Sequence, residues 1–293
     1  MHANEARTDE SLVRSLLRGQ FRHLAGLPIR RLASGGTTNA IYRVGTGATV
    51  RLPLLPGGVE ALEREVRWLS RLAPSLPFPI PEVIGLGEPA EGYPHRWALH
   101  RWVAGEVLVE GCTDGQRTLA RDLAAFVTAL RGIDPEGGPR SYRGSPPVSV
   151  DTETRDAIDA LRRTEEPFEP DALLAAWDSV LRVPHWTGRD QWSHSDLMPS
   201  NLLGADGRLT AVLDFGTVGV GDPAIDLIPA WNLLSPAGRS RFHDAVDVDE
   251  ATWARGRGWA LSMALIQLPY YRRTNPVIAA NARHTIGQVL AAR

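Results

Sequence analysis

Four side chains near the middle of the second half have types and spacing that can do chemistry: His194, Asp196, Asn201 and Asp214. Asp196 follows His194 by two positions, Asn201 follows Asp196 by five, and Asp214, succeeded by Phe215-Gly216, lies thirteen beyond Asn201. A phosphoryl group in transit needs little covalent help. The protein must supply a carboxylate that orients and deprotonates a hydroxyl, and hard oxygen ligands that hold Mg²⁺ against phosphates. Asp196 suits the first task, and Asn201 with Asp214 the second.

The stretch between them is built to bring its ends together. Leu202-Leu203 and the run from Arg208 to Leu213 are short apolar segments separated by Gly204-Ala205-Asp206-Gly207, and Asp-Gly is a strong hairpin-turn signal. A hairpin returns Asn201 and Asp214 to neighbouring ends. Taken singly, His194 reads as a core histidine, Asp196 as a turn residue and Asp214 as a strand-end cap. Taken together around one hairpin, the four have the catalytic-loop and metal-loop spacing of enzymes on the kinase plan.

Composition limits what else the chain can be. At 293 residues, 43% hydrophobic and 23% charged, it has length for one large domain or two lobes and ordinary globular composition. A single cysteine, Cys112, excludes an internal disulfide framework and a Cys-based zinc site, fits a reducing cytoplasm, and reads as a packing residue. No apolar stretch is long enough to span a bilayer, and no membrane or obligate protein partner is expected. All 32 of the Lys+Arg total are Arg. A chain without lysine has no Walker-type Gly-Lys-Ser/Thr loop, no Schiff base and no pyridoxal-phosphate anchor, so any phosphate-binding cation is Arg. The net charge of −2 is uneven: residues 1–103 carry 13 Arg against 9 acids, and 104–293 carry 19 against 25. Neither part resembles a nucleic-acid binder. The acidic second part can draw in an amine-bearing acceptor, or be solvated surface.

The elements that must position the four residues follow in order. Ser11 to Leu24 is an amphipathic helix. Ile29–Leu32, Ala40–Val44 and Ala48–Leu52 read as three strands, the first two joined by Ser34-Gly35-Gly36-Thr37-Thr38-Asn39, a glycine-bearing turn whose N–H groups can cover phosphates. Arg51 stands in the third strand, where the kinase plan has its phosphate-holding cation. The helix Val59–Leu72 carries Glu63 and Glu65 beside its apolar stripe, and Glu65, neighbouring Leu62 and Leu69, is the expected partner of Arg51. Pro74 to Pro81 breaks that helix. An apolar strand, Trp97–Val103, then ends at Ala104-Gly105, which places a boundary between lobes 1–103 and 104–293. The main chain of Arg101 and Val103 there can hydrogen-bond adenine.

Thr113 and Gln116 resemble a capping box for a helix containing Leu119, Leu123, Phe126 and Leu130. Gly137–Pro147 reads as a Gly/Pro-rich surface loop, followed by helices at Asp151–Arg163 and Asp171–Leu181. Beyond Asp214, Asp222 reads as an N-cap with Pro223 in the first turn, and Asp226 is placed to brace the catalytic loop. Helices at Arg239–Val246, Ala251 to about Leu268 with Pro269 ending or kinking it, and Pro276–Leu290 complete the chain. Most rings there are core, while Trp231 and Tyr271 are candidates to pack against an acceptor.

With His194-Ser195-Asp196, Asn201, Asp214-Phe215-Gly216 and Gly221-Asp222-Pro223-Ala224-Ile225-Asp226-Leu227, the chain resembles the aminoglycoside phosphotransferase family of small-molecule kinases, from about Ser34 to the C-terminal helices. The resemblance implies an α+β, bilobal protein-kinase-like fold with a small antiparallel-sheet N-lobe and a mainly helical C-lobe. It implies ATP or GTP as donor, Mg²⁺, and transfer of the γ-phosphate to a hydroxyl of a small antibiotic or metabolite. Asp196 is then the base, with His194 in its motif, Asn201 and Asp214 the Mg²⁺ ligands, Arg51 the phosphate clamp and Glu65 its partner. The family usually has His-Gly-Asp where Ser195 stands here, and many members have Lys at the position of Arg51. The short run from Phe215 to Asp222 leaves no room for a protein kinase's activation loop. A housekeeping kinase for an amino alcohol or sugar, and a nucleotide-binding pseudokinase, are the alternatives.

Overall fold

The first helix, α1 (Glu10–Gln20), starts where the Asp9 carboxylate accepts the Leu12 N–H at 2.7 Å and buries Val13, Leu16 and Leu17. The computed structural model describes residues 6–32, 38–110 and 116–291, so Ser34, Gly35, Gly36, Thr37, Cys112 and the Thr113 cap lie outside the described residues. Strands β1 (Ile29–Arg31), β2 (Asn39–Val44) and β3 (Ala48–Pro53) form a meander in which Ile41 faces Arg51. Helix α2 (Pro56–Leu72) then lays one stripe, Leu62, Glu65, Trp68, Leu69 and Leu72, into the interior. Glu65 is the acid on that stripe, fully buried, while Glu63 faces solvent.

Strands β4 (Val83–Gly87) and β5 (Trp97–Arg101) complete an antiparallel sheet in the order β1-β2-β3-β5-β4. Sequence reasoning missed β4, because two glycines and a register shift between Val83 and Gly85 blur its alternation. Gly87 is required there: a Cβ would lie 1.8 Å from the Trp97 indole that covers it. This sheet and α1 enclose one apolar cluster around Tyr42, Val50, Leu52 and Trp97.

A larger cluster runs from Trp68 to Val289. It is assembled from the end of α2, α3 (Gln116–Arg131), α4 (Asp151–Leu161), α5 (Pro170–Leu181), β7 (Gln191–Ser193), β8 (Leu202–Ala205), β9 (Arg208–Val212), β10 (Gly219–Gly221), α6 (Pro229–Asn232), α7 (Pro236–Val246), α8 (Glu250–Tyr271) and α9 (Pro276–Ala291), while β6 (Glu106–Val107) pairs with β8 from an exposed edge. The fold is therefore the expected α+β, kinase-like arrangement of an antiparallel sheet and a mainly helical remainder. The hairpin β8–β9 turns at Asp206 (φ 50°) and Gly207 (φ 70°), the two left-handed residues a type I′ turn needs. The Leu213 N–H donates to the Asn201 carbonyl at 2.8 Å, closing the hairpin's open end.

Two expectations change. Helix α8 runs through Pro269 to Tyr271, since a proline in the last turn removes one hydrogen bond without meeting a long helix beyond it. The 137–147 segment is not a plain surface loop: Arg140 bridges Val220 of β10, Ser141 is buried, and the Asp222 N–H donates to the Gly144 carbonyl at 3.0 Å. Its glycines permit that approach; a Cβ on Gly144 would lie 2.7 Å from Ser141 Cβ. No helix among the described residues is long and apolar enough to cross a membrane.

Candidate active site

Asp226 organises the loop that carries Asp196. Fully buried, it accepts the N–H of His194 through Oδ2 at 2.7 Å and of Ser195 through Oδ1 at 2.8 Å, so one carboxylate holds two consecutive peptides. Burial pushes its carboxyl up, and the neighbouring His194 and the two N–H groups oppose that. Asp226→Ala leaves both N–H groups buried without acceptors, at about 1–3 kcal/mol each. Chemical denaturation should show a loss of several kcal/mol, and a loss below about 1 kcal/mol would remove the brace.

His194 is not a substrate contact. It is fully buried, its Nδ1 accepts the Asp196 N–H at 3.3 Å, and its Nε2 donates to the Leu213 carbonyl at 2.9 Å. Its ring also meets Phe215 edge-on at 4.7 Å. Both nitrogens are occupied, which corrects its expected catalytic place: it rivets the Asp196 loop to the Asp214 loop.

Ser195 adopts φ 69°, a left-handed conformation that favours glycine. Its hydroxyl is drawn into a buried ring with Ser141 Oγ (2.5 Å) and Ser193 Oγ (3.0 Å), themselves 3.1 Å apart. This ring explains a serine where the family usually has glycine. Ser195→Gly relieves strain and loses two bonds of about 0.5–1.5 kcal/mol each, whereas Ser195→Ala loses the bonds and keeps the strain. Unfolding midpoints should rank wild type and Ser195→Gly close together and Ser195→Ala lowest; Ser195→Ala matching wild type would show that the ring contributes nothing.

These anchors leave the Asp196 side chain 27% exposed, with Oδ2 accepting from Asn201 Nδ2 at 3.0 Å and Oδ1 from Arg143 Nη1 at 3.3 Å. Its carboxyl is raised, chiefly by burial, with Arg143 opposing. Asp214 is likewise left-handed (φ 60°), and its side chain is 38% exposed. Burial acts upward on it too, but the charge and hydrogen bond of Arg51 outweigh burial and hold the carboxyl below its ordinary range. Two carboxylates thus stand in one site with opposite shifts, one suited to taking a proton and one to staying ionised.

Arg51, in the central part of the five-stranded sheet, bridges the elements. Nη1 meets Glu65 Oε2 and Nη2 meets Asp214 Oδ1, each at 2.7 Å. The Asn39 amide, with its oxygen turned to the guanidinium, accepts from Nη2 (3.0 Å) and Nε (3.2 Å). Glu65 also accepts the Phe215 N–H at 2.9 Å, so α2, β3 and the Asp214 loop form one charged junction. His100 of β5 lies beside it, Nε2 3.8 Å from Glu65 and without a hydrogen bond; burial and then Arg51 push its pKa down to about 3, so it stays neutral.

The remaining predicted residues fall elsewhere. The Arg101 N–H is committed to the Glu82 carbonyl at 2.9 Å and its side chain to the Glu82 carboxylate, while Val103 makes no main-chain hydrogen bond among the described residues. Trp231 is corrected: at 1% exposure, with its ring tilted against that of Trp253 at 4.8 Å, it has no face to offer an acceptor. Tyr271 sits partly exposed in the last turn of α8 beside Tyr270. Most acids of the second part lie on the surface, while Asp122, Glu166 and Asp222 are tied to Arg208, Arg283 and Arg255. Sequence reasoning missed Arg143, Ser141 and Asn39. The first two lie in a segment without periodicity, and one Arg among 32 carries no mark of its own.

The architecture is that of the kinase-like phosphotransferases. It superposes on the GDP complex of aminoglycoside 2′-phosphotransferase-IIIa with a TM-score of 0.74 at 18% identity, over 97% of this chain and 99% of that one. The streptomycin–ATP ternary complex of APH(2″)-IIa gives 0.61 at 16% identity over 98% of each chain. The macrolide 2′-phosphotransferase MphH from Brachybacterium faecium, as apoenzyme, gives 0.61 at 23% identity over 95% and 98%. The sequence model of the phosphotransferase enzyme family matches residues 29–259, and the chain belongs to that family. Among curated protein sequences, none matches.

Proposed function

We propose that this phosphotransferase moves the γ-phosphate of ATP or GTP to a hydroxyl of a small molecule, and that the acceptor is an antibiotic of aminoglycoside or macrolide type. The observation that carries the reading is the pair of half-open carboxylates, Asp196 and Asp214, held by separate cations with opposite pKa shifts. Solved structures bearing the same fold include a GDP complex, a streptomycin–ATP ternary complex and a macrolide phosphotransferase, which supports the choice of donor and acceptor.

In this reading Asp196 orients the acceptor hydroxyl and takes its proton as the oxygen attacks the γ-phosphorus in line. Residues 1–103 hold the nucleotide, with the glycine-bearing turn over its phosphates and the main chain of Val103, rather than that of the already bonded Arg101, near the base; residues 104–293 hold the acceptor. Arg51 takes the phosphates, exchanging its Nη2–Asp214 contact for phosphate oxygen and releasing Asp214, while Glu65 keeps Nη1 in place.

The donor set fits Mg²⁺. Among the described residues no cluster of three or more His, Cys, Asp or Glu forms an all-protein cage, and Mg²⁺ uses one or two carboxylates with phosphates and water. Asp214 stays ionised, and Asn201 is fixed through Nδ2 to the Asp196 carbonyl (2.9 Å) and carboxylate (3.0 Å), which leaves its amide oxygen to bind metal. When bound, the ion would neutralise charge on the phosphates.

The test is a transfer screen with γ-labelled ATP and GTP against aminoglycosides, macrolides, amino alcohols and sugars. Label in an antibiotic supports the reading. Label only in an amino alcohol or sugar keeps the kinase and replaces the acceptor class, and nucleotide binding without transfer to any acceptor or to water makes the protein a pseudokinase.

A further inference from the structure

Arg143 is the second guanidinium at the site, and it is placed differently from Arg51. Arg51 commits Nε, Nη1 and Nη2 to Asn39, Glu65 and Asp214. Arg143 commits Nη1 alone, to the Ser195 carbonyl at 2.8 Å and to Asp196 Oδ1 at 3.3 Å. Its Nε and Nη2 make no hydrogen bond among the described residues, and its side chain is 22% exposed. Its position is not that of a wandering surface arginine. Ser141, two residues before it, is locked in the serine ring with Ser195, the Ser141 N–H donates to the Val220 carbonyl at 2.9 Å, and the Tyr142 ring lies 4.9 Å from the guanidinium carbon.

Distance decides what those two free donors can meet. A base within about 3 Å of the acceptor hydroxyl, whose oxygen stands about 3–3.5 Å from phosphorus, brings a long side chain hydrogen-bonded to that base within reach of the transferring group. That group spreads negative charge over its three equatorial oxygens, and preorganised cations there act on the transition state more than on the bound nucleotide. The chain has no lysine for this task.

Building on the kinase reading above, we propose that Arg143 is a further catalytic residue, whose Nη1 aligns Asp196 while Nε and Nη2 bind the equatorial oxygens of the phosphoryl group in flight. The acceptor O–H proton passes to Asp196, the acceptor O–P bond forms, and the bond from phosphorus to the bridging oxygen breaks with its electron pair leaving on the nucleoside diphosphate. Arg143 gives up no proton and changes no charge.

The experiment compares wild type, Arg143→Ala and Arg143→Lys in three measurements: kcat for γ-phosphate release from ATP or GTP with water or an identified acceptor, affinity for ADP or GDP alone, and affinity for the same diphosphate with aluminium fluoride and Mg²⁺ as a planar phosphoryl mimic. Expected for Arg143→Ala is a kcat loss of about 10²–10³-fold, unchanged diphosphate affinity and at least tenfold weaker binding of the mimic. Arg143→Lys, which keeps the charge without the fork, should fall between. A purely structural role would weaken diphosphate and mimic equally, and that result overturns the proposal, as does a kcat within threefold of wild type. Should Arg143→Ala fail to fold, the Arg143→Lys ratio of mimic to diphosphate affinity decides alone: a ratio unchanged from wild type rejects the role. Absence of any phosphate release by wild-type protein rejects the kinase reading itself, a different outcome from active wild type with indifferent variants.

Discussion

Asp196→Asn lowers kcat for phosphoryl transfer by about 10²–10⁴-fold, the range a positioned general base supplies, with nucleotide affinity close to wild type. The substituted amide can still accept from Arg143 through its oxygen, but it sets a second N–H against Asn201 Nδ2, which now donates to Asp196 Oδ2 at 3.0 Å. The local cost is about one hydrogen bond, roughly 1 kcal/mol, so the variant should fold. What it loses is the ability to accept the acceptor's proton. Steady-state kinetics with saturating nucleotide, together with calorimetric nucleotide binding, separates the two effects. A variant turning over within threefold of wild type would take Asp196 out of the mechanism.

Arg51→Ala has the second large effect, and it strikes stability and chemistry together. Glu65 has no exposure, and removal of its partner leaves a buried carboxylate facing the Phe215 N–H and a neutral His100. Breaking a buried pair from one side costs about 3–5 kcal/mol, which urea denaturation should register. Transfer should fall more than adenosine binding does, because the guanidinium meets phosphates and not the base. Arg51→Lys retains charge but cannot hold Glu65, Asp214 and Asn39 at once, so partial activity is expected. Equal losses for ATP and adenosine would contradict the clamp.

Much of this was legible because the informative signals are local. The Asp206-Gly207 turn specifies a tight hairpin, and a tight hairpin determines that residues 201 and 213 meet. The apolar stripe of α2 distinguishes the face that carries Glu65 from the one that carries Glu63, since helical period alone decides which acid points inward. Asp226 was readable as a brace from its place after Asp222-Pro223, although the two peptide N–H groups it binds were not. What escaped was long-range. Arg143 reaches Asp196 across 53 positions, through a Gly/Pro-rich segment that β10 and the serine ring help to order, and neither contact leaves a periodic trace. Strand β4 was hidden by its bulge, and Trp231 looked available because an aromatic residue's burial depends on what packs over it, here Trp253. Ser195 is the instructive case. Its departure from glycine raised a question in the sequence that only the hydroxyls of Ser141 and Ser193 answer.

The central claim is that the junction of Asp196, Asn201, Asp214 and Arg51 transfers a γ-phosphoryl group to a small-molecule hydroxyl. Its most direct test is ³¹P NMR of a reaction containing protein, Mg²⁺, ATP or GTP and a hydroxylated acceptor from the antibiotic panel, run beside Asp196→Asn. Wild-type protein should remove the γ resonance and produce a phosphomonoester signal and nucleoside diphosphate in equal amounts, and Asp196→Asn should do neither on the same timescale. Inorganic phosphate as the sole product with every acceptor, or equal phosphomonoester from Asp196→Asn, would contradict the account.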